Sequence, residues 1–160
     1  MVTKQDLLIL YKKEFATTLK VIKAFPGDKL EFAPHERSQN AKRLMSTFIF
    51  EMYLLKMIAF GKEADRSVFN TYSPANIETI AADFEKESSQ IISTLENIDE
   101  EMLRKTVEFA GKEFITYEFM LMMLFDQIHH RGQMSVYIRM AGGKVPSIYG
   151  PSADDSSTNL

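Results

Sequence analysis

Two side chains that commonly bind metal ions stand four residues apart near the end of the chain. These are Asp126 and His130, and on a helix this spacing places both on one face, close enough to hold one ion or one small molecule between them. The alternative interpretation is a carboxylate that only orients a core histidine, with no ligand bound. The adjacent His129 points about 100° away from His130 on a helix, so we expect it to be a partly buried polar residue outside this pair.

A further carboxylate interrupts an apolar stretch earlier in the chain. Apolar residues cover almost the whole circumference of a helix over residues 44–59, which is typical of a helix that is central in its domain or shared with a partner chain. Glu51 stands within this stretch, one turn beyond Thr47. Because burying an unpaired carboxylate costs several kcal/mol, Glu51 must either reach solvent or find a partner.

Composition excludes several classes of protein. A net charge of −3 offers no basic surface for nucleic acid, and the absence of cysteine excludes disulfide frameworks, thiolate zinc sites and cysteine nucleophiles. No stretch is apolar over the roughly 20 residues that a membrane span needs, and no signal peptide is recognisable, so we predict a cytoplasmic protein. The sequence also lacks a Glu-x-x-His pair, a glycine-rich phosphate loop and a His-Glu-x-x-His motif.

Helical periodicity predicts four long helices, each beginning at a residue with a capping side chain: Thr3, Ser38, Ser73 and Thr116. The predicted spans are 3–25, 38–61, 73–97 and 116–141, with a polar loop over 62–72. Before the last helix, residues 106–109 and 113–115 could form a small hairpin or an extended flap. These elements predict an all-α four-helix bundle.

The segment that follows the last helix is expected to fold back on the bundle, because residues 144–152 are apolar and rich in proline. We predict one domain over residues 1–152 and a disordered tail over 153–160. Arg131 is predicted to pair with an acidic residue or with carbonyls of this segment. Gly132 costs roughly 1 kcal/mol in mid-helix relative to alanine, which suggests that another backbone packs closely there.

The run His129-His130-Arg131-Gly132-Gln133, followed by Gly142-Gly143 and residues 145–152, resembles the end of a DinB-like (DinB/YfiT) superfamily protein. The resemblance extends over nearly the whole chain. It implies a four-helix bundle, often homodimeric, whose better understood relatives bind a divalent metal and include thiol-dependent transferases and isomerases.

In that family the metal ligands are three histidines, one on the second helix and two spaced by four on the last helix. Carried over to this sequence, the last-helix positions are Asp126 and His130, and the second-helix position falls at Thr47 or Ser46. Glu51, one turn further along, is an alternative source of the third ligand.

Two functions follow from the resemblance. The first is a metal-dependent enzyme, a thiol transferase or hydrolase, with zinc, nickel or manganese held by Asp126 and His130 and with Thr47 and Glu51 contributing to cofactor binding. The alternative is a catalytically degenerate, homodimeric module for binding a small-molecule ligand or a protein. Two observations favour this alternative: two of the three expected histidines are replaced, and the second and last helices carry an apolar surplus that a second copy could cover.

Overall fold

The computed structural model describes residues 2–62 and 67–156, which form an all-α bundle with one small hairpin, as the sequence predicts. Helix α1 packs against α4 and α5, and α2 packs against the same two helices, so α1 and α2 stand diagonally opposite each other. The elements are α1 (Lys4–Lys23), α2 (Ala41–Ala59), α3 (Val68–Thr71), α4 (Ile77–Asn97), β1 (Thr106–Phe109), β2 (Lys112–Ile115) and α5 (Thr116–Met140).

Two helices begin later than predicted. The side chain of Asn40 caps α2 by accepting a 2.8 Å hydrogen bond from a backbone N–H of the first turn, and Asn76 caps α4 in the same way at 2.8 Å. The predicted caps, Ser38 and Ser73, therefore lie outside these helices. Asparagine and serine cap helices about equally well, so residue type alone does not distinguish Ser38 from Asn40 or Ser73 from Asn76.

The starts of α1 and α5 differ in how they are stabilised. Thr3 and Asp6 form the predicted reciprocal capping interaction at the start of α1. At α5 the predicted cap is wrong, because Ile115 occupies the cap position and Thr116 is the first helical residue. The Thr116 hydroxyl instead donates to the carbonyl of Lys105 at 2.9 Å, which ties the helix start to the chain before the hairpin.

The predicted hairpin is present and is attached to the first turn of α5. Strands β1 and β2 pair antiparallel, and the turn between them has positive φ at Ala110 (52°) and Gly111 (73°), as a tight two-residue hairpin turn requires. The rings of Phe109 and Phe114 pack against Phe119 at centroid distances of 5.3 and 6.1 Å. The hairpin therefore fixes the N-terminal end of the helix that carries Asp126 and His130.

The apolar surplus of α2 is largely covered within the chain. Phe50 lies on the side of α2 away from the bundle centre, and its ring packs against Phe69 and Tyr72 at 5.5 and 6.1 Å. These rings come from α3 and the residue after it, within the segment predicted as a polar loop. No α2 residue is among the large apolar side chains that the described chain exposes.

The outward face of α5 is different, since it carries large apolar side chains in water. Phe125, Val136 and Met140 are each more than half exposed and repeat at helical spacing. Gly132 lies on the same face, and a Cβ added there would meet no atom within 4 Å. The predicted close approach of another backbone to Gly132 is therefore not made within this chain.

The segment after α5 folds back as predicted. Asp154 accepts hydrogen bonds from Arg139 at 3.0 Å and from the backbone of Val145 at 3.1 Å, and Asp155 accepts one from the backbone of Ser147 at 2.9 Å. The first residues of the predicted disordered tail therefore make specific contacts, and residues 157–160 lie outside the described residues. A single domain over 1–152 stays a prediction.

No helix within the described residues is long and apolar enough to cross a membrane.

Candidate metal centre

Three potential ligands from two helices converge inside the bundle. Glu51 comes from α2, while Asp126 and His130 come from one face of α5, and one ligand atom of each lies within 4.8 Å of the others. The Nε2 atom of His130 is 3.5 Å from a carboxylate oxygen of Glu51 and 3.7 Å from one of Asp126. The structure thus brings together three of the four residues that the sequence singled out.

The three side chains differ in their depth below the surface. The side chain of Glu51 is 5% exposed, that of His130 is 22% exposed and that of Asp126 is 49% exposed. The cluster therefore has a closed base at Glu51 and an open mouth at Asp126.

The Glu51 carboxylate is buried without compensation. Neither of its oxygens has a hydrogen-bond partner within the described part of the chain. Burial raises the pKa of Glu51 to about 9, and repulsion by the Asp126 carboxylate adds to this shift. Without a bound cation, Glu51 therefore holds a proton at neutral pH, since an ionised carboxylate in this position would be strongly destabilised.

A narrow cavity borders Glu51 on its inner side. Its volume of about 10 Å³ is at the lower limit for one water molecule. The hydroxyl of Tyr11 in the cavity wall donates to the carbonyl of Met120 at 2.7 Å, so this hydroxyl does not donate to Glu51. The residues that line the cavity with Glu51 are Tyr11, Phe15, Met52, Leu55, Met123, Leu124 and Gln127.

The ring of His130 is oriented by Gln133, about one turn further along α5. Its Nδ1 lies 3.0 Å from Oε1 of Gln133, while Nε2 of Gln133 lies 3.0 Å from Nε2 of His129. An amide oxygen can only accept, so in this arrangement Nδ1 of His130 donates to Gln133, and Nε2 is the ring nitrogen that faces the two carboxylates. The local signal for this role was the spacing of three residues between His130 and Gln133.

Other predicted positions lie outside the cluster. The hydroxyl of Thr47 donates to a backbone carbonyl of its own helix at 3.3 Å, and that of Ser46 does the same at 2.8 Å. Neither joins the three converging side chains. His129 also lies outside the cluster, as predicted, but it is exposed rather than partly buried.

The donor set suits a divalent cation. Ligand atoms at about 2.1 Å from one ion are roughly 3.0 to 3.5 Å apart, so the two distances to His130 need only a small contraction. Two carboxylates and one imidazole, without thiolate, match ions such as manganese, iron(II) or zinc. The Glu51 carboxylate is buried without a hydrogen-bond partner among the described residues, and a bound cation would compensate its negative charge.

Comparisons with known proteins agree on one family. The family model described as "DinB family" matches residues 1–159. A crystal structure of a DinB-like protein from Bacillus cereus matches with a TM-score of 0.82 at 21% identity, covering 92% of this chain and 98% of that one. A second, the DinB-like protein YjoA from Bacillus subtilis, matches with a TM-score of 0.69 at 19% identity, covering 85% and 91%.

A curated relative, the uncharacterized protein YrdA of Bacillus subtilis, is 30% identical over 83 residues. This match covers 51% of the present chain and 50% of YrdA, so it spans about half of the relative's length. The two solved structures support the fold, and the family model supports the family.

Proposed function

The chain belongs to the DinB family, and from this premise we propose that it binds a divalent metal ion between α2 and α5 through Glu51, Asp126 and His130. The observation that carries the proposal is the Glu51 carboxylate, buried with both oxygens lacking a hydrogen-bond partner among the described residues. A cation that replaces its proton compensates this carboxylate and couples metal binding to proton release.

The arrangement favours a thiol-transfer or hydrolytic reaction. A divalent ion held by these three residues would lower the pKa of a bound water or thiol and so make a nucleophile available at neutral pH. Within the chain, Asp126 lies at the open mouth of the cluster, while Met52 and Leu55 keep the base beside Glu51 apolar. A small molecule therefore reaches the cluster from the Asp126 side.

Metal content tests this proposal directly. The protein is purified without nickel resin, analysed for bound metal, and titrated with zinc, nickel and manganese by calorimetry. We expect one ion per chain with a micromolar or tighter Kd, and a loss of at least about 100-fold in affinity in His130→Ala and Asp126→Asn.

His35→Ala is the control, because His35 is an exposed histidine between α1 and α2 that contacts neither the cluster nor Gln133. It should bind the ion like the wild type. Absence of binding at micromolar ion would contradict the proposal, as would an equal loss in His35→Ala and His130→Ala.

A second candidate function, a homodimeric interaction module, is supported by the outward face of α5. Phe125, Val136 and Met140 expose apolar surface along this face, and Gly132 leaves room for a close approach. Because every large apolar side chain of α2 is at least partly covered, the proposed dimer uses α5 alone. Apolar side chains that recur along one helix face mark an interaction surface more often than a single exposed residue does.

Sedimentation equilibrium tests the dimer independently of any metal. We expect a dimer for the wild type and a monomer for Phe125→Asp, since a carboxylate in the row would have to be desolvated. Ile9→Asp is the control, because Ile9 is an equally exposed apolar residue on α1. A monomeric wild type, or dissociation by both substitutions, would refute this interface.

A further inference from the structure

A chain of buried polar side chains lies behind the candidate metal centre. It starts at Arg131, which is 1% exposed and donates from Nη1 to the hydroxyl of Thr18 at 3.3 Å and to the carbonyl of Glu14 at 3.2 Å. A guanidinium group has donors only. The Thr18 oxygen therefore acts as an acceptor toward Arg131, and its single proton is left to be donated elsewhere.

The acceptor for that proton is Gln127. The Thr18 hydroxyl lies 3.5 Å from Oε1 of Gln127, and both side chains are buried. Because Oε1 faces this hydroxyl, the NH₂ group of the same amide faces away from it. Gln127 also lines the cavity that Glu51 borders, so the amide is the hydrogen-bond donor group in the wall of that cavity.

The position of Gln127 in sequence makes it relevant to the centre. It lies between Asp126 and His130 on α5 and is turned inward, toward α1 and the Glu51 cavity. Both oxygens of Glu51 lack a hydrogen-bond partner within the described residues, so the Gln127 amide is a donor placed beside an unpaired acceptor.

We propose that Gln127 is the positioning residue for Glu51, donating from its amide NH₂ group to the Glu51 carboxylate when that carboxylate serves as a metal ligand. Its amide orientation is set by Arg131 through Thr18. This inference rests on the proposed metal-binding function. It extends that function by assigning a role to a residue that does not itself touch the metal.

The far end of the polar chain is anchored by the C-terminal segment. Arg131 donates from Nη2 to a carboxylate oxygen of Glu14 at 2.7 Å and to the hydroxyl of Tyr149, and that hydroxyl donates to the same Glu14 oxygen at 2.7 Å. The Tyr149 ring also lies over the guanidinium at 5.1 Å. The group that orients Thr18 is therefore held on two sides.

The test is Mn²⁺ affinity, measured by calorimetry and by electron paramagnetic resonance, together with the Tm of each metal-free variant. Gln127→Leu should weaken the Mn²⁺ Kd about tenfold, the lower end of the range for groups that orient a metal ligand. Thr18→Val should weaken it severalfold, because valine has nearly the same shape but cannot donate to Gln127. Thr18→Ser keeps the hydroxyl and should restore wild-type affinity.

Thr17→Val is the matched control, since Thr17 is the neighbouring buried threonine and its hydroxyl donates to the carbonyl of Lys13 in its own helix at 2.9 Å. It should leave the Mn²⁺ Kd unchanged. If Gln127→Leu fails to fold, the role of Gln127 is tested by the Mn²⁺ affinities of three other variants: Thr18→Val, Thr18→Ser and Thr17→Val.

The outcomes separate the two proposals. A wild-type protein that binds no ion overturns the proposed function and this inference with it. A wild type that binds Mn²⁺ while Gln127→Leu and Thr18→Val bind it equally well overturns this inference only. Equal losses in Thr18→Val and Thr17→Val would also overturn it, because the effect would then come from packing in α1.

Discussion

The substitution Glu51→Gln should make the metal-free protein more stable at neutral pH, although it alters a buried residue of the candidate centre. Burial raises the pKa of Glu51 from its ordinary 4.5 to about 9. Between these values the folded protein keeps a proton that the unfolded chain has released. Glutamine is neutral in both states, so the substitution removes this pH-dependent loss of stability.

The size of the effect follows from the same pKa shift. The contribution of Glu51 is fully present below pH 4.5, falls as the pH rises, and is completely lost above about pH 9. Each intervening pH unit lowers the free energy of unfolding by about 1.4 kcal/mol. At pH 7 Glu51→Gln should therefore be about 3 kcal/mol more stable than the wild type, which corresponds to roughly 6 to 12 °C in Tm for a domain of this size.

Urea unfolding followed by circular dichroism, with a chelator present, measures this difference. The advantage of Glu51→Gln should almost vanish near pH 4.5 and grow steadily toward pH 8. Glu87→Gln is the control, because Glu87 is a buried carboxylate that is paired with Lys56. The same chemical change there should lower stability, since it leaves the Lys56 charge without its partner.

Two results would refute the reasoning. One is a Glu51→Gln protein no more stable than the wild type at pH 7, and the other is a stability difference that does not change between about pH 5 and pH 8. Saturating Mn²⁺ adds a further check, because the ion should stabilise the wild type and have little effect on Glu51→Gln.

Three further predictions concern substitutions outside the proposed metal ligands. Arg131→Met should lower the free energy of unfolding by about 3 to 5 kcal/mol, because Glu14 is left buried without its counter-ion, and adding Glu14→Gln should recover part of the loss in denaturant titrations. Gly132→Ala should raise the stability of the monomer by roughly 0.5 to 1 kcal/mol, since its Cβ meets open space. Gly143→Ala should lower the Tm, because its Cβ would lie 2.9 Å from Cδ of Pro26.

The sequence was sufficient to predict the four long helices and the hairpin, because periodicity and turn residues are local signals. It was not sufficient for α3, a single turn in a polar segment that is stabilised by the packing of Phe69 on Phe50. That contact joins residues 19 apart in the chain, and nothing near Phe69 indicates its partner.

In the candidate site, too, local spacing was sufficient to predict some positions and not others. The spacing of Asp126 and His130 placed both on one face of α5, as the structure has them. Thr47 and Glu51, however, share one face of α2, so helical rotation cannot distinguish them. Which of the two residues faces Asp126 and His130 depends on how far α2 is displaced along its axis relative to α5. The two positions are about 6 Å apart along the axis, and the displacement is set by packing between the helices.

The sequence was also not sufficient to predict which polar side chains pair over long distances in the chain. The prediction that Arg131 pairs with an acidic residue is confirmed, but its partner Glu14 lies 117 residues away. The contact between Thr18 and Gln127 spans 109 residues. Both are created by the packing of α1 against α5, and no local pattern in either helix encodes them.

The contact between Glu14 and Tyr149, 135 residues apart, has a consequence for biosynthesis. At translation rates of about 5–20 residues per second, Glu14 is made roughly 7 to 27 s before Tyr149. During that interval Glu14 lacks both Arg131 and Tyr149, and α1 lacks α5, one of the two long helices against which it packs. The buried contacts of Glu14 therefore form only after all four long helices have been synthesised.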